Sequence, residues 1–337
     1  MNRREIATKV ASRLPVLPLL ERFASRPALA VLVYHRVLRP DDWPYDRDVI
    51  EATPELFDEQ MTMLKRRHDV AGPEEMVELI LAPKKLKHLR VAITFDDGYV
   101  DNYVHAFPIL KSHGLEASFF IPTDFVGSKL LPWWDRIAYA VRTTTRKQIT
   151  LTYPKPVTIA VDRRDPVPAI RAVLRAFKRE ENVVLDTFLA GVEEACDVAL
   201  PMEAPDRQFM SWDEASEMQR AGMAIGSHTH SHRILGHLSA DEQRTECEQS
   251  RALLKKNDLA ADCLAYPVGN PLSFSSTTKS CVEGAGYRSA FSNYGGLNLP
   301  DRMSPFDVKR MGMDLGESAA HLRTRLSLSA MARRQVW

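Results

Sequence analysis

Two small groups of residues in this sequence have the types and spacing of a metal-dependent hydrolase site. Asp96 and Asp97 follow an apolar run, and His228 and His232 stand four residues apart at the end of another. Two neutral imidazoles and one carboxylate make an open metal site, with a coordination position left for water or substrate. The second carboxylate is then free to act as a base, so the pattern indicates hydrolysis.

Each half of this pattern also has a purely structural interpretation. An Asp-Asp-Gly sequence is typical of a turn, and a histidine-rich loop can simply face solvent. The position of both halves at strand ends favours metal binding, because a buried carboxylate needs a metal, a cation or hydrogen-bond donors. Successive residues point in different directions, so Asp97 can bind the metal while Asp96 faces the substrate. His230 would then point away from the metal.

The rest of the chain alternates short β-rich runs with helical patterns. Such alternation predicts a parallel sheet covered by helices, and in a parallel barrel the carboxyl ends of the strands form one face. We predict seven strands, at residues 30–34, 91–95, 117–121, 223–226, 263–266, 288–291 and 307–311. His35, the two aspartates, His228 and Val268 all come just after such strands, so they can meet in space.

A long segment in the middle of the chain interrupts this alternation. It reads as a small hairpin around residues 154–156, followed by helical sequence, and we interpret it as a cap or substrate wall. The predicted organisation is an N-terminal amphipathic helix at 1–28, a barrel at 29–134 and 206–315, an inserted α+β cap at 135–205 and a helical basic tail at 316–337.

Composition and charge exclude several classes of protein. The chain is 45% hydrophobic and 26% charged, as in ordinary globular proteins. A net charge of +1 gives no excess of basic residues for binding nucleic acid. The sequence contains no run of about 18 apolar residues, so no membrane span is predicted. Four scattered cysteines fit reduced thiols in the cytoplasm better than a disulfide framework.

The first twenty residues leave the location of the protein partly open. They combine a basic start with a short apolar run that proline breaks twice, so a cytoplasmic location is favoured over export by an atypical signal. A peripheral membrane contact stays open as an alternative. The sequence does not define an oligomeric state.

The segments Thr94–Tyr99 and His228–His232 resemble the first two motifs of the polysaccharide deacetylase family, also called NodB-like or carbohydrate esterase family four. The resemblance covers roughly residues 29–130 and 207–312. It implies a distorted seven-stranded (β/α) barrel and metal-dependent removal of acetyl groups from N-acetylated sugars. The expected partner is therefore an acetylated glycan, as a polysaccharide or a glycoconjugate.

The resemblance assigns roles by position. Asp96 resembles the general base of the family, and Asp97, His228 and His232 resemble its metal ligands. Zinc is the expected ion for two imidazoles and a carboxylate, with cobalt, nickel or manganese as alternatives.

The segment Ala265–Gly269 stands where the family has an Arg-x-Pro-Tyr-Gly-like sequence. The resemblance therefore predicts an oxyanion contact from the backbone N–H of Val268, with Tyr266 as a further substrate contact. Trp133 and Trp134 follow the third strand. They either stack on sugar rings, with Trp134 as the predicted contact, or anchor the insertion.

Two departures from the family pattern affect the expected chemistry. Ala265 occupies the position of the arginine that supports the base, so Arg36 and Arg310, both near strand ends, are the candidates for that support. The late histidine motif that supplies the general acid is also missing, because Val308–Gly312 contains no histidine. We predict that His35 provides the acid, the alternative being that it only binds substrate or orients Asp96.

Two other functions fit the same residues. One is an amidohydrolase of the same barrel superfamily that acts on a small non-sugar amide. The other is an inactive, metal-containing module that binds glycans. The paired tryptophans and the long insertion favour a glycan substrate, and Asp96 argues against a pure binder because a binder has no need of a base.

Overall fold

The computed structural model describes residues 26–180 and 182–332. The predicted N-terminal helix at 1–28 therefore lies outside the described residues, apart from its last three, and so do residues 333–337 of the predicted tail. Within the described ranges, no helix combines the length and apolar character needed to cross a membrane.

Strands and helices alternate over most of the described chain. The strands are β1 (Ala28–Tyr34), β2 (Arg36–Val37), β3 (Ile50–Ala52), β4 (Asp69–Val70), β5 (Leu89–Phe95), β6 (Ser118–Ile121), β7 (Gln148–Leu151), β8 (Val157–Ala160), β9 (Ala224–Ser227), β10 (Cys263–Ala265), β11 (Ser289–Gly295), β12 (Leu297–Asn298) and β13 (Val308–Gly312). The α-helices are α1 (Pro54–Arg67), α2 (Pro73–Leu81), α3 (Phe107–His113), α4 (Trp133–Thr143), α5 (Val167–Lys178), α6 (Leu185–Cys196), α7 (Trp212–Arg220), α8 (Ala240–Lys256), α9 (Ser276–Gly284) and α10 (Ala319–Ala332).

Seven parallel strands close into a barrel, which confirms the predicted fold class. Their order around the barrel is β1-β13-β11-β10-β9-β6-β5, and β5 pairs again with β1. The β1–β5 pairing extends over all seven residues of β1. By contrast, β9 and β10 share a single register pair, Leu264↔Ser227. This uneven pairing distorts the barrel.

Both faces of the barrel strands are buried, as expected for a parallel sheet covered by helices. All seven residues of β1 are buried. Side chains from six strands fill the barrel interior, where the ring centres of Phe120 and Phe291 lie 5.1 Å apart. A second apolar layer joins the outside of the barrel to the helices, and Phe57, Met61 and Leu64 form the buried face of α1.

The segment from α4 to α6, which we call the cap, has an apolar cluster of its own. Helices α4, α5 and α6 pack with the antiparallel hairpin β7–β8, and rings from the barrel loops join the same cluster. Helix α4 begins at Trp133, two residues before the boundary predicted for the insertion. The amphipathic pattern of α5 explains its docking, because its buried residues recur at helical spacing: Ala169, Ile170, Val173, Leu174 and Phe177.

Helix α10 packs in the apolar layer between the barrel and the surrounding helices. Leu322 and Leu326 are fully buried in the layer that also contains α1. Arg325, a residue of the predicted basic tail, is buried as well and pairs with Glu317 at 3.2 Å. This part of the tail therefore contributes to the core instead of presenting a basic surface.

Candidate metal centre and active-site cavity

The carboxyl ends of three barrel strands bring the predicted chemical groups to one cavity. His35 follows β1, Asp96 and Asp97 follow β5, and His228 follows β9. Parallel strands bring these positions to one face of the barrel whatever their separation in sequence. The cavity has a volume of about 170 Å³. The predicted site residues that line it are His35, Asp96, Asp97, Trp134, His228, His232 and Val268.

Asp97, His228 and His232 form a compact buried triad. One ligand atom from each lies within 4.8 Å of the other two. Asp97 Oδ1 is 3.4 Å from His228 Nε2 and 3.2 Å from His232 Nε2. This oxygen is buried without a well-aligned hydrogen bond among the described residues. An orphaned oxygen between two imidazoles fits a shared divalent ion, and the donor set suits zinc.

Electrostatics and backbone conformation also set this triad apart. Burial raises the pKa of Asp97, but the two neighbouring imidazoles outweigh it and hold that pKa well below the usual range. Asp97 and His232 have φ values of 70° and 56°, a left-handed conformation that non-glycine residues adopt at a cost. Such strain concentrates at functional sites.

Ala265 and Glu246 orient the histidine segment. His228 Nδ1 lies 2.8 Å from the carbonyl oxygen of Ala265, which directs Nε2 towards the triad. The Glu246 carboxylate accepts hydrogen bonds from the backbone N–H groups of His230 and Ser231, at 3.0 and 2.8 Å. His230 itself turns away, and its Nδ1 lies 3.0 Å from Thr123 Oγ1. Glu246 is not among the site residues predicted from the sequence.

Asp96 is held by an arginine from the opposite end of the chain. Arg310 Nη1 donates to Asp96 Oδ1 at 2.7 Å and Nη2 donates to Oδ2 at 2.6 Å. Burial raises the pKa of Asp96, but the Arg310 guanidinium outweighs burial and the pKa is lowered. Of the two arginines considered from the sequence, Arg310 therefore supports Asp96, whereas Arg36 pairs with Asp101 at 2.7 Å.

His35 is paired with a carboxylate that the sequence reasoning missed. Its Nδ1 lies 2.7 Å from Glu51 Oε1, and its backbone N–H donates to Glu51 Oε2 at 2.8 Å. Burial lowers the pKa of His35, but the Glu51 carboxylate outweighs it and raises the pKa to about 9. The only sequence signal for Glu51 is a lone glutamate within the apolar run Val49–Ala52.

Of the two residues predicted to contact substrate from the segment after β10, only Val268 lines the cavity. Val268 lines the cavity with φ 64°, and its N–H has no hydrogen-bond partner among the described residues. Tyr266 does not line the cavity, contrary to the expectation of a substrate contact. Its ring stacks on Phe274 at 4.2 Å, and its hydroxyl donates to the Phe306 carbonyl at 3.1 Å.

Strand alternation explains this correction. Ala265 faces the barrel interior, and the next residue, Tyr266, faces the outer layer of helices. The side chain of Tyr266 therefore points away from the barrel interior, into the outer layer of helices.

Trp134 reaches the cavity from the cap but is only 4% exposed. Its ring centre lies 4.5 Å from that of His232, and its indole N–H donates to the Tyr99 hydroxyl at 2.9 Å. Trp133 packs edge-on against it and is also buried. These contacts favour the anchoring interpretation of the two tryptophans over an open stacking platform.

Charged and polar residues that were not predicted from the sequence also line the cavity. Arg171 from α5 contacts Asp46, and its Nε lies 2.9 Å from Asp48 Oδ2. Lys178 also lines the cavity, as does Asn293 of the barrel strand β11. These residues could not be assigned from spacing, because the docking of the cap decides which of its side chains reach the cavity.

The site and fold agree with an established protein family. The family model described as polysaccharide deacetylase matches residues 84–290, more than half of the chain. The chain therefore belongs to the polysaccharide deacetylase family. The match includes the triad and Asp96, but it begins after His35 and ends before Arg310.

One relative by sequence is the protein YxkH of Bacillus subtilis (strain 168). The two are 31% identical over 105 residues, which make up 30% of this chain and 34% of YxkH. The alignment thus spans about a third of the length of that relative.

Several solved structures share the fold. The deacetylase PplD of Streptococcus pyogenes, in complex with acetate, is 19% identical with a TM-score of 0.58, covering 90% of this chain and 99% of that chain. IcaB from Ammonifex degensii is 19% identical with a TM-score of 0.54, covering 91% and 98%. BC0361, a polysaccharide deacetylase from Bacillus cereus, is 14% identical with a TM-score of 0.55, covering 90% and 69%. At these identities the likeness establishes the fold alone.

Proposed function

We propose that this chain is a metal-dependent hydrolase that removes acetyl groups from N-acetylated sugars of a polysaccharide or glycoconjugate. The observation that carries the proposal is the buried Asp97–His228–His232 triad beside an Asp96 carboxylate that Arg310 keeps ionised. Membership of the polysaccharide deacetylase family supports the substrate class.

Asp97, His228 and His232 are the residues that would hold the ion. A divalent ion at such a site acts as a Lewis acid that polarises a carbonyl oxygen and lowers the pKa of water. Zinc suits this donor set, and cobalt, nickel or manganese are the alternatives.

Asp96 is suited to accept the proton of the attacking water. Its lowered pKa keeps the carboxylate ionised at neutral pH. The two parallel hydrogen bonds from Arg310 also fix the plane of the carboxylate, because a bidentate guanidinium contact is geometrically specific. Arg310 therefore acts as a positioning residue for the base.

Val268 and His35 complete the proposed machinery. Attack on the acetamido group places negative charge on its carbonyl oxygen, and the free Val268 N–H on the cavity wall can donate to it. One such donor contributes about 2.7–4 kcal/mol to transition-state stabilisation. His35, which Glu51 keeps protonated, donates a proton to the departing amine nitrogen. The products are acetate and an amino sugar.

Metal analysis combined with acetate release from N-acetylglucosamine oligomers tests this function. We expect wild-type protein to hold about one ion per chain, the stoichiometry of one three-ligand site, and to release acetate. Asp97→Ala should lose both properties. Asp124→Ala, which removes a half-exposed carboxylate beside His230, is the matched control and should retain both. Metal and activity retained in Asp97→Ala would refute the ligand assignment.

The same assay separates the two rival functions. Acetate release from a small non-sugar amide, but not from the oligomers, would support the amidohydrolase. Sugar binding without turnover, unaffected by Asp96→Asn, would support the inactive glycan-binding module.

A further inference from the structure

The cavity contains one cation that the proposed mechanism does not use. Lys178 is the last residue of α5, and its side chain lines the same cavity as Asp96, Asp97 and the triad histidines. Its ammonium nitrogen lies 5.5 Å from the ring centre of Trp133. The cap therefore contributes a positive charge to the cavity that contains the proposed reacting groups.

Lys178 differs from the buried cations of the molecule in its pairing. Three buried arginines each contact a carboxylate at 2.6–3.2 Å, namely Arg36, Arg310 and Arg325. Arg171, the other cap cation at the cavity, contacts two carboxylates. Among residues 26–180 and 182–332, no carboxylate lies within 4 Å of the Lys178 ammonium. Lys178 is thus the unpaired cation of the described cavity wall.

An unpaired and partly desolvated ammonium favours the entry of an anion. Taking a charge out of water is costly unless an opposite charge compensates it. Burial lowers the pKa of Lys178, and the carboxylates of Asp46, Asp97 and Asp48 oppose this effect from beyond ion-pair distance. A divalent ion on Asp97 would add further positive charge to the cavity. An incoming anion would gain from both charges without breaking an existing ion pair.

We propose that Lys178 binds an anionic group of the substrate, a carboxylate or a phosphate close to the acetylated sugar, and thereby selects charged glycans over neutral ones. This inference rests on the proposed function, since it defines the substrate class of the same cavity. It assigns substrate selection to the cap, because α5 belongs to that segment.

The first test compares acetate release from three probes. They are the neutral N-acetylglucosamine tetramer, a hyaluronan tetrasaccharide with a carboxylate on the neighbouring sugar, and UDP-N-acetylglucosamine with phosphates on the same sugar. Lys178→Met keeps the aliphatic stem and removes the charge. We expect it to lower kcat/KM at least about 10-fold for one anionic probe, through KM, and less than about 2-fold for the neutral probe.

A matched control lies on the same helix. Arg175 is exposed on α5, so Arg175→Met removes a charge of the same sign without changing the cavity. It should leave all three kcat/KM values within about 2-fold of wild type. The anionic probe that is affected by Lys178→Met identifies the group as a carboxylate or a phosphate.

The second test is independent of turnover. Binding of the three probes is measured by calorimetry on metal-loaded Asp96→Asn protein, with and without Lys178→Met. Affinity for an anionic probe that falls at least about 10-fold, while affinity for the neutral probe is kept, supports the inference. Equal losses for all three probes, unchanged affinities, or no binding of any probe would overturn it. Absence of acetate release by wild type, with this binding pattern intact, would count against the proposed function alone.

Discussion

Asp96 in the barrel and Asp135 in the cap are both buried carboxylates, yet their pKa values move in opposite directions. Burial raises the pKa of each. At Asp96 the bidentate contact with Arg310 outweighs burial, and the pKa is lowered. Asp135 has no ion pair among the described residues and accepts one hydrogen bond, from the Asp46 N–H at 2.9 Å, and its pKa rises to about 8. A paired cation, more than burial itself, decides which buried carboxylate stays charged.

The comparison extends to the two regions as wholes. The barrel supplies charged groups in fixed pairs, such as Asp96 with Arg310 and His35 with Glu51. The cap supplies a neutral carboxyl in its interior and the unpaired Lys178 at the cavity. The barrel therefore holds charge in a defined geometry, whereas the cap packs and, in our proposal, binds an anionic group through Lys178.

The largest effect on this contrast between barrel and cap is expected from removing Arg310, the cation that pairs with Asp96. Arg310→Met leaves Asp96 buried without its cation, and we expect the free energy of unfolding to fall by about 3–5 kcal/mol. The pKa of Asp96 should also rise, so acetate release should be almost abolished. Urea unfolding and an acetate-release assay measure the two effects.

Two variants control this prediction. The double variant Asp96→Asn/Arg310→Met removes both charges and should recover much of the stability but none of the activity. Arg90→Met removes a partly exposed arginine that pairs with Glu75, and should cost less than about 1 kcal/mol. Wild-type stability in Arg310→Met would show that the pair does not hold Asp96 in its charged form.

Variants of the His35–Glu51 pair test the proposed general acid, and their expected effect on activity is smaller. The folded pKa of His35, about 9, lies above its ordinary value of 6.5. The protonated form is therefore fully stabilised below pH 6.5, and this stabilisation is lost as the pH rises through 9. Glu51→Gln should move the basic limb of kcat/KM from near pH 9 towards 6.5, lowering the rate at pH 8 about 10-fold and changing it little at pH 6.

The direct variant of His35 completes this experiment. His35→Gln should lower acetate release at every pH and abolish the basic limb. A near-normal rate with an unchanged basic limb in His35→Gln would rule out the acid role, and the same limb in Glu51→Gln would show that Glu51 does not set the His35 pKa.

The smallest effect is expected for Asp135→Asn, which tests whether the buried carboxyl of the cap is neutral. The folded pKa of Asp135, about 8, lies above its ordinary value of 3.8, so its contribution to stability is lost as the pH rises between these values. The asparagine cannot ionise, and the variant should be more stable than wild type at pH 8 by about 1 kcal/mol or more. At pH 4 this advantage should be absent.

Asp96→Asn provides the reverse control for that prediction. The lowered pKa of Asp96 means that its charged form contributes stability above its ordinary pKa, so this variant should be less stable than wild type at pH 8. Thermal unfolding at pH 4 and pH 8 measures both variants. The same sign of change at pH 8 in the two variants would contradict the contrast between barrel and cap.

The barrel and most of its cavity could be predicted from sequence for a physical reason. Apolar runs at regular spacing specify parallel strands, and residues just after such strands must share one face. Asp96, Asp97 and His228 follow this rule directly. Arg310 could be named only as one of two candidates, because its pairing with Asp96 spans 214 residues and depends on how the barrel closes.

Other residues of the cavity depend on information that local sequence does not contain. Glu51 reaches His35 through a short strand and a turn with no recognisable pattern. Lys178 reaches the cavity because the apolar face of α5 docks the helix in one orientation. Tyr266 was assigned from a motif position, but strand alternation directs its side chain to the outer layer.

The seam between β9 and β10 gives the triad a mechanical role. The two strands share one register pair, and the contact between His228 Nδ1 and the Ala265 carbonyl crosses the same seam at 2.8 Å. An ion bound to His228 would link this side chain to Asp97, which follows β5 on the far side of β6. The ion would thus hold the β9 side of this weakly paired seam in place, so that metal content would affect the rigidity of the barrel rim as well as its reactivity.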